Sequence, residues 1–420
     1  MIKVLIAEDS VVFQKVLVSF LKKDSNIDIV GVVDNGLDAV EECKRLKPDL
    51  ITMDIFMPKM NGLEATRRIM AECPTRIVVI SSMIDAKNLQ YSLEAIQAGA
   101  VEVIAKPQDM ITGNYDAVQD KLLKVLRQTM EAEPTKRFSW LVSRPWEVAQ
   151  PAMVSSYEDL SFDASRLSSG RAAPEPETSR ATRKEKSRYK SVSVASDVSE
   201  LEDSDSPVLV RWRPQPIPRD FVPHVICIGG STGAPAVISD ILRCLPGDFS
   251  VPILIAQHIV RGFVKGMAEW LDSSVPLKVG IAEEGEALGR AKVLFAPDDM
   301  HLMISNKGCI ELKERAASDL YVPSVNLLFA SAARSFGAYA LGIVLSGMGK
   351  DGVEGLLEMR KAGAVTVGQN AATSVVYGMP KVAVARGAVM DTMGPEGMVK
   401  LLLQIDDRLK TQMKNQKHPS

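Results

Sequence analysis

The sequence predicts an α/β protein: two doubly wound α/β domains joined by a long disordered linker. Three observations carry that prediction. Short Val/Ile-rich runs alternate with amphipathic stretches over residues 1–128 and again over 221–408, the rhythm of parallel strands and crossover helices. Residues 129–220 break it with Ser, Pro, Glu, Lys and Arg, as in "SSGRAAPEPETSRATRKEK", and bury too little apolar area to offset the entropy of ordering. A length of 420 residues also exceeds what one core usually holds.

Within the first domain, "KVLIA", "IDIVGVV", "DLITM", "RIVVIS" and "VEVIA" read as the strands of a five-stranded parallel sheet. Amphipathic stretches such as Val11–Lys22 and Leu63–Ala71 cover it. In the linker, "RFSWLVSRPWEV" is the one apolar segment, suited to docking on a neighbouring surface. The second domain offers "HVICIGG", "VPILIAQH", "LKVGIAEEG", "AKVLFAP", "HLMIS", "YALGIVLSGMG" and "AVTVGQN", giving a mostly parallel sheet in which "AKVLFAPDDMHLMIS" reads as a hairpin. Residues 409–420 read as a frayed tail.

Bulk properties narrow the function. A net charge of -2, without a clustered basic face, gives no footprint for nucleic acid. No apolar run nears the roughly 20 residues that span a bilayer, and "MIKVLIAEDS" reads as a strand rather than a signal peptide. Five cysteines without a C-x-x-C pair argue for reduced thiols, and hence a cytoplasmic protein with neither a disulfide framework nor zinc.

Chemistry first appears at the strand ends of the first domain. Glu8 and Asp9 follow its first strand, Asp54 the third, Ser81 ends the fourth and Lys106 follows the fifth. In a doubly wound sheet these ends converge on one crevice. Three clustered carboxylates call for a hard divalent cation, and Mg²⁺ suits an all-oxygen site. With the lysine and hydroxyl, the set fits phosphoryl transfer onto Asp54. "AEDS", "MDIFMPKMNGLEA", "VISS" and "KP" fall in the order of a two-component receiver domain, which about the first 125 residues therefore resemble. The resemblance implies Asp54 as phospho-acceptor, with Mg²⁺ held by Glu8, Asp9, Asp54 and the Phe56 carbonyl. It also implies Ser81 and Lys106 as phosphoryl contacts, and a cis bond before Pro107. Val103 departs from the aromatic residue many receivers carry there.

The second domain opens on "IGGSTGAP", residues 228–235, between a strand and a helix. It satisfies G-x-S-x-G, the turn that exposes a serine nucleophile, but its glycines would also suit a dinucleotide loop. That rival requires an acid at the end of the next strand, where Gln257 and His258 stand instead. The chain has four histidines; His418 lies in the tail and His224 opens a strand, leaving His258 and His301. His258 reaches the same sheet edge as Ser231. Asp351, in the Gly-rich loop of "LSGMGKDG", supplies an orienting acid. The order Ser, His, Asp is not that of an α/β-hydrolase.

"IGGSTGAP", "AQH", "GEALGRAKVLFAPDDMHLMI", "PSVNLLFASAA", "GIVLSGMGKDG" and "QNAATSVVYGMP" together resemble the chemotaxis-type protein-glutamate methylesterases, CheB, which also carry a receiver in front. The resemblance implies Ser231 as nucleophile, His258 as base and Asp351 as orienting acid, with Thr232 and the Met348 N–H around the oxyanion, and no cofactor in this domain. It implies hydrolysis of glutamate methyl esters on chemoreceptor helices, deamidation of receptor glutamines, and relief of receiver inhibition on phosphorylation by a sensor histidine kinase. No direct membrane insertion is expected. His301 matches a family histidine but receives no catalytic step. Asn326, Val322 and Asp298 depart from the family's Asp, Arg and Gly; the first two bear on the substrate groove, the third on a turn. A phosphorylation-controlled binding module without turnover, and a nucleotide-dependent oxidoreductase, are the readings from other classes.

Overall fold

The computed structural model describes residues 1–81, 91, 94–96, 98–106, 119, 122–123, 125–127, 129–130, 212–259 and 261–417. The linker core with its Trp-containing segment, and Pro107, lie outside the described residues.

In the first domain β1 (Ile2–Ala7), β2 (Ile27–Val33), β3 (Leu50–Met53), β4 (Arg76–Ser81) and β5 (Glu102–Ala105) form one sheet in the order β2-β1-β3-β4-β5. All pairings are parallel, as the Val/Ile runs predict. Each of the first three helices starts on a polar cap that satisfies an otherwise orphaned N–H: Ser10 for α1 (Val11–Leu21), Asn35 for α2 (Gly36–Leu46) and Asn61 for α3 (Gly62–Glu72). Leu5, Ile51 and Val79 pack toward α2 and α3, while Val4, Ile6 and Ile80 pack toward α1. That period-2 split buries both sheet faces.

The second domain is built on seven strands in the order β14-β13-β12-β6-β7-β9-β8, every pair parallel. They are β6 (Val225–Gly230), β7 (Ile253–Gln257), β8 (Lys278–Ile281), β9 (Lys292–Phe295), β12 (Ala340–Val344), β13 (Val365–Gln369) and β14 (Asp391–Met393). The expected hairpin does not form. β9 joins the main sheet between β7 and β8, while β10 (Met300–Ile304) pairs antiparallel with β11 (Ile310–Glu314) in a separate two-stranded sheet. "APDD" is a turn, but β10 finds its partner in the strand after it, which leaves β9 to pair with β7 and β8 inside the parallel sheet.

Both predicted boundaries of this domain move outward. The stretch from Trp212, expected as linker, docks as a strap: Trp212 Nε1 donates to the Val389 carbonyl (2.8 Å), and Gln215 N–H to that of Met390 (2.8 Å). The expected tail is instead the end of a helix, Pro395–Lys417. Leu409 packs on the core there, and Lys410 pairs with Asp248 and Asp406.

β6 is buried along its whole length, with β12 on one side and β7 on the other. The chain winds outward in both directions from that strand, and the crevice beyond such a switch point is where open α/β sheets bind ligands.

Candidate functional site

Two crevices gather the predicted residues. In the first domain the carboxylates of Glu8, Asp9 and Asp54 lie within 4.8 Å of one another. Lys106 Nζ donates to Asp54 Oδ2 (2.7 Å) and to Glu8 Oε1 (2.9 Å). Ile55 N–H holds Asp54 Oδ1 (2.7 Å), and Ser10 N–H holds Glu8 Oε1 (3.1 Å). Burial pushes the Asp54 and Glu8 carboxyls above their ordinary values, only partly offset by Lys106. For Lys106 burial works against the charge, but the two carboxylates outweigh it and hold its pKa above the usual lysine value. A hard cation fits such a set, because all three donors are anionic oxygens and two of them are buried. α3 comes close enough that a Cβ on Gly62 would overlap the Asp54 carbonyl. Phe56 turns its ring edge-on to Tyr91 (5.4 Å between centroids). Ser81 closes β4 beside β5 at this end of the sheet.

The second crevice lies at the switch point. Ser231 follows β6, His258 follows β7 and Asp351 sits in the loop beyond β12, so three adjacent strands deliver the three side chains. His258 Nε2 lies 2.9 Å from Asp351 Oδ2. That leaves Nδ1 as the nitrogen available to Ser231, whose Oγ has no hydrogen-bond partner among the described residues; such bonds often close only around substrate. Asp351 is 1% exposed. Besides His258 it accepts from the N–H groups of Val325 (2.8 Å), Asn326 (3.0 Å) and Gly352 (2.9 Å), and from Ser324 Oγ (3.2 Å). The carboxylate therefore caps the N-terminus of the helix Val325–Phe336, where unpaired N–H groups favour an anion. Burial alone would raise its pKa, but His258 and the helix N–H groups reverse the shift and hold it below the ordinary carboxylate value.

Glycines make room for this assembly. A Cβ on Gly347 would stand 2.7 Å from the Ser231 Cβ and 2.9 Å from its nitrogen, closer than atoms pack. Gly233, with φ +81°, takes the left-handed turn that launches the helix Ala234–Arg243. The Thr232 and Met348 N–H groups beside the serine have no acceptor among the described residues, as an oxyanion pocket requires.

Several contributors escaped the sequence reading. Gln257 Nε2 donates to the carbonyls of both Ser231 and His258 (2.9 Å each), tying the two turns together. Tyr321 stacks on the His258 ring, 5.1 Å between centroids and 8° from parallel. Asn326, expected at the substrate groove, instead turns its side chain to Gly355 N–H (3.0 Å). The unusual turn conformation near Asp298 falls on Asp299, with φ +59°. Only the "PSVN" motif, as a helix start late in the chain, hinted at the Asp351 cradle.

A small cavity at Ser231 and His258 is also lined by Val101, Glu102 and Val103 of the first domain. Val101 packs with Val375, Val376 and Met348 beside it.

Fold and crevices thus define a class: a domain with a buried, lysine-paired aspartate in an acidic cluster, in front of one that brings a serine, a histidine and a buried aspartate to adjacent strand ends. The model of the CheB methylesterase family matches residues 226–402, and that of the response regulator receiver domain matches 4–112. Similar proteins include protein-glutamate methylesterase/protein-glutamine glutaminase 4 of Myxococcus xanthus, 35% identical over 91% of this chain and 91% of that protein. The corresponding protein 1 of Syntrophus aciditrophicus is 34% identical over 96% and 98%. The crystal structure of the Thermotoga maritima CheB methylesterase catalytic domain is 30% identical, covering 44% of this chain and 98% of that one, with a TM-score of 0.42. The chain belongs to the CheB methylesterase family and carries a response regulator receiver domain ahead of the catalytic one. No helix among the described residues is long and apolar enough to cross a membrane.

Proposed function

We propose that this hydrolase removes methyl esters from glutamate side chains on chemoreceptors, and deamidates receptor glutamines, through Ser231, His258 and Asp351 under control of phosphorylation at Asp54. The observation that carries the reading is the delivery of these three side chains to one switch point, with His258 Nε2 2.9 Å from a buried Asp351. Asp351 is ionised and takes the Nε2 proton as its hydrogen bond, so the neutral imidazole presents a lone pair at Nδ1. Nδ1 takes the Ser231 proton as Oγ attacks the ester carbonyl, and the oxyanion meets the Thr232 and Met348 N–H groups. The imidazolium then returns its proton to the departing methoxide, releasing methanol; from an amide, ammonia leaves. Water, deprotonated by the same nitrogen, attacks the acyl-serine, and the proton returns to Oγ.

Control follows from the shared cavity. Ser231 is approached by the Val101–Val103 segment, so the resting receiver obstructs substrate. Glu8, Asp9, Asp54 and the Phe56 carbonyl would hold Mg²⁺, whose bound charge would neutralise the phosphoryl group as it reaches Asp54. Lys106 already contacts Asp54, and with Ser81 it would hold the phosphoryl oxygens. Breaking the Lys106 contacts to Glu8 and Asp54 biases the receiver toward a second packing that frees the catalytic crevice. A chemotaxis sensor histidine kinase is the phosphodonor.

The test is methanol release from a methyl-labelled chemoreceptor cytoplasmic fragment, with and without acetyl phosphate and Mg²⁺. The intact protein should respond to the phosphodonor. Asp54→Ala should retain only the basal rate, and Ser231→Ala should release nothing; release from the latter would overturn the nucleophile assignment.

A further inference from the structure

His301 lies buried at the start of β10, 1% exposed, outside the three side chains assigned to the chemistry. Both of its ring nitrogens are engaged. Nδ1 accepts the Ser324 N–H (3.0 Å), and since a backbone N–H only donates, that nitrogen carries the lone pair. Nε2 therefore carries the proton and donates it to Asp319 Oδ2 (2.9 Å), an oxygen that also accepts the Ala316 N–H (2.7 Å). One imidazole thus pins both ends of the arch from Asp319 to Ser324.

The arch touches the catalytic crevice twice. Tyr321, near its crown, lies flat on the His258 ring. Ser324, at its foot, gives Oγ to Asp351 and caps the helix whose first N–H groups hold that carboxylate. Leu320, next to Tyr321, is 90% exposed, while Tyr321 itself turns inward, its hydroxyl against Gly349.

We propose that His301, with Asp319, is a positioning residue for hydrolysis: it fastens the arch that sets the plane of the His258 imidazole through Tyr321 and seats Asp351 through Ser324. The inference rests on the triad reading above. Its mechanism is orientation, and a catalytic group displaced by an ångström loses one to two orders of magnitude in rate.

The experiment is a double-mutant cycle on the full-length, phosphodonor-stimulated protein. It reads kcat and KM for methanol release, together with the rate of Ser231 labelling by a fluorophosphonate. His301→Ala and Tyr321→Ala should each lower kcat and labelling roughly tenfold with KM little changed. The double variant should be no worse than the poorer single, because both remove one linkage. Tyr321→Phe, which keeps the ring, should recover most of the loss. His301→Asn, which retains an acceptor for Ser324 N–H, stands in if His301→Ala does not fold, and should retain more activity than Tyr321→Ala. Multiplicative losses in the double variant, or wild-type kcat in Tyr321→Ala, overturn the proposal. Failure of the triad reading looks different: wild-type Ser231 would then resist the fluorophosphonate altogether.

Discussion

Asp351→Asn tests how completely the acid is committed to its cradle. The carboxylate accepts five hydrogen bonds: from His258 and Val325 N–H on Oδ2, and from Ser324 Oγ, Asn326 N–H and Gly352 N–H on Oδ1. An amide must turn its NH₂ to one side. On the Oδ1 side it confronts two backbone N–H donors, so it turns to the Oδ2 side, where only Val325 N–H is left unpaired. That orphaned donor costs about 1–3 kcal/mol of stability. The NH₂ now donates to His258 Nε2, which forces the proton onto Nδ1, the nitrogen that has to receive the serine proton. The base is lost in its resting state, and the imidazolium loses its counter-charge. The expected fall in kcat is about 10³–10⁴-fold, or about 4–5.5 kcal/mol of transition-state stabilisation. Initial rates of methanol release, paired with thermal melts, separate this loss from unfolding. A folded Asn variant that retained a tenth of the wild-type kcat would refute the argument. Acid titration adds a sign. Because the folded Asp351 pKa is depressed, its stabilisation is full above the unfolded value of about 3.9 and lost as pH falls through the lower folded value. The stability gap between wild type and Asn variant should therefore close on acidification.

Three further outcomes follow from packing. Gly347→Ala sets a methyl group 2.7 Å from the Ser231 Cβ and should abolish fluorophosphonate labelling, even where melting shows the domain folded. Val101→Asp buries an unpaired charge among Val375, Val376 and Met348, at a cost of several kcal/mol. Basal methanol release should rise about tenfold toward the stimulated rate; an unchanged basal rate would show that this contact does not restrain the enzyme. Trp212→Ala removes a docked indole and its bond to the Val389 carbonyl, and should destabilise the catalytic domain by about 2 kcal/mol in urea melts without altering kcat.

Much of both crevices was legible because chemistry at parallel strand ends converges without knowledge of packing. Apolar runs such as "KVLIA" and "VICIGG" locate the strands, and Glu8, Asp54, Ser231 and His258 each stand one residue beyond a strand end. What stayed hidden depends on partners distant in the chain. β10 could pair forward or backward, and only the burial of β9 decided it. The Asp351 cradle is a helix N-terminus 25 residues upstream, invisible to local spacing. Trp212 looked like linker because its acceptor, Val389, lies 177 residues away.

The Gln257 amide has a consequence for the spacing of nucleophile and base. In the serine-protease template the histidine offers its outer nitrogen to the nucleophile. Here Asp351 takes the outer one, and the proposed mechanism gives the proton transfer to the inner nitrogen, bonded directly to the ring's attachment carbon. An inner nitrogen lies closer to the Cα than an outer one does, so its distance from Ser231 follows the spacing of the two main chains. That main chain is what Gln257 clamps, with one NH₂ shared between the carbonyls of residues 231 and 258. The spacing of nucleophile and base is thus built into the backbone of two neighbouring strands.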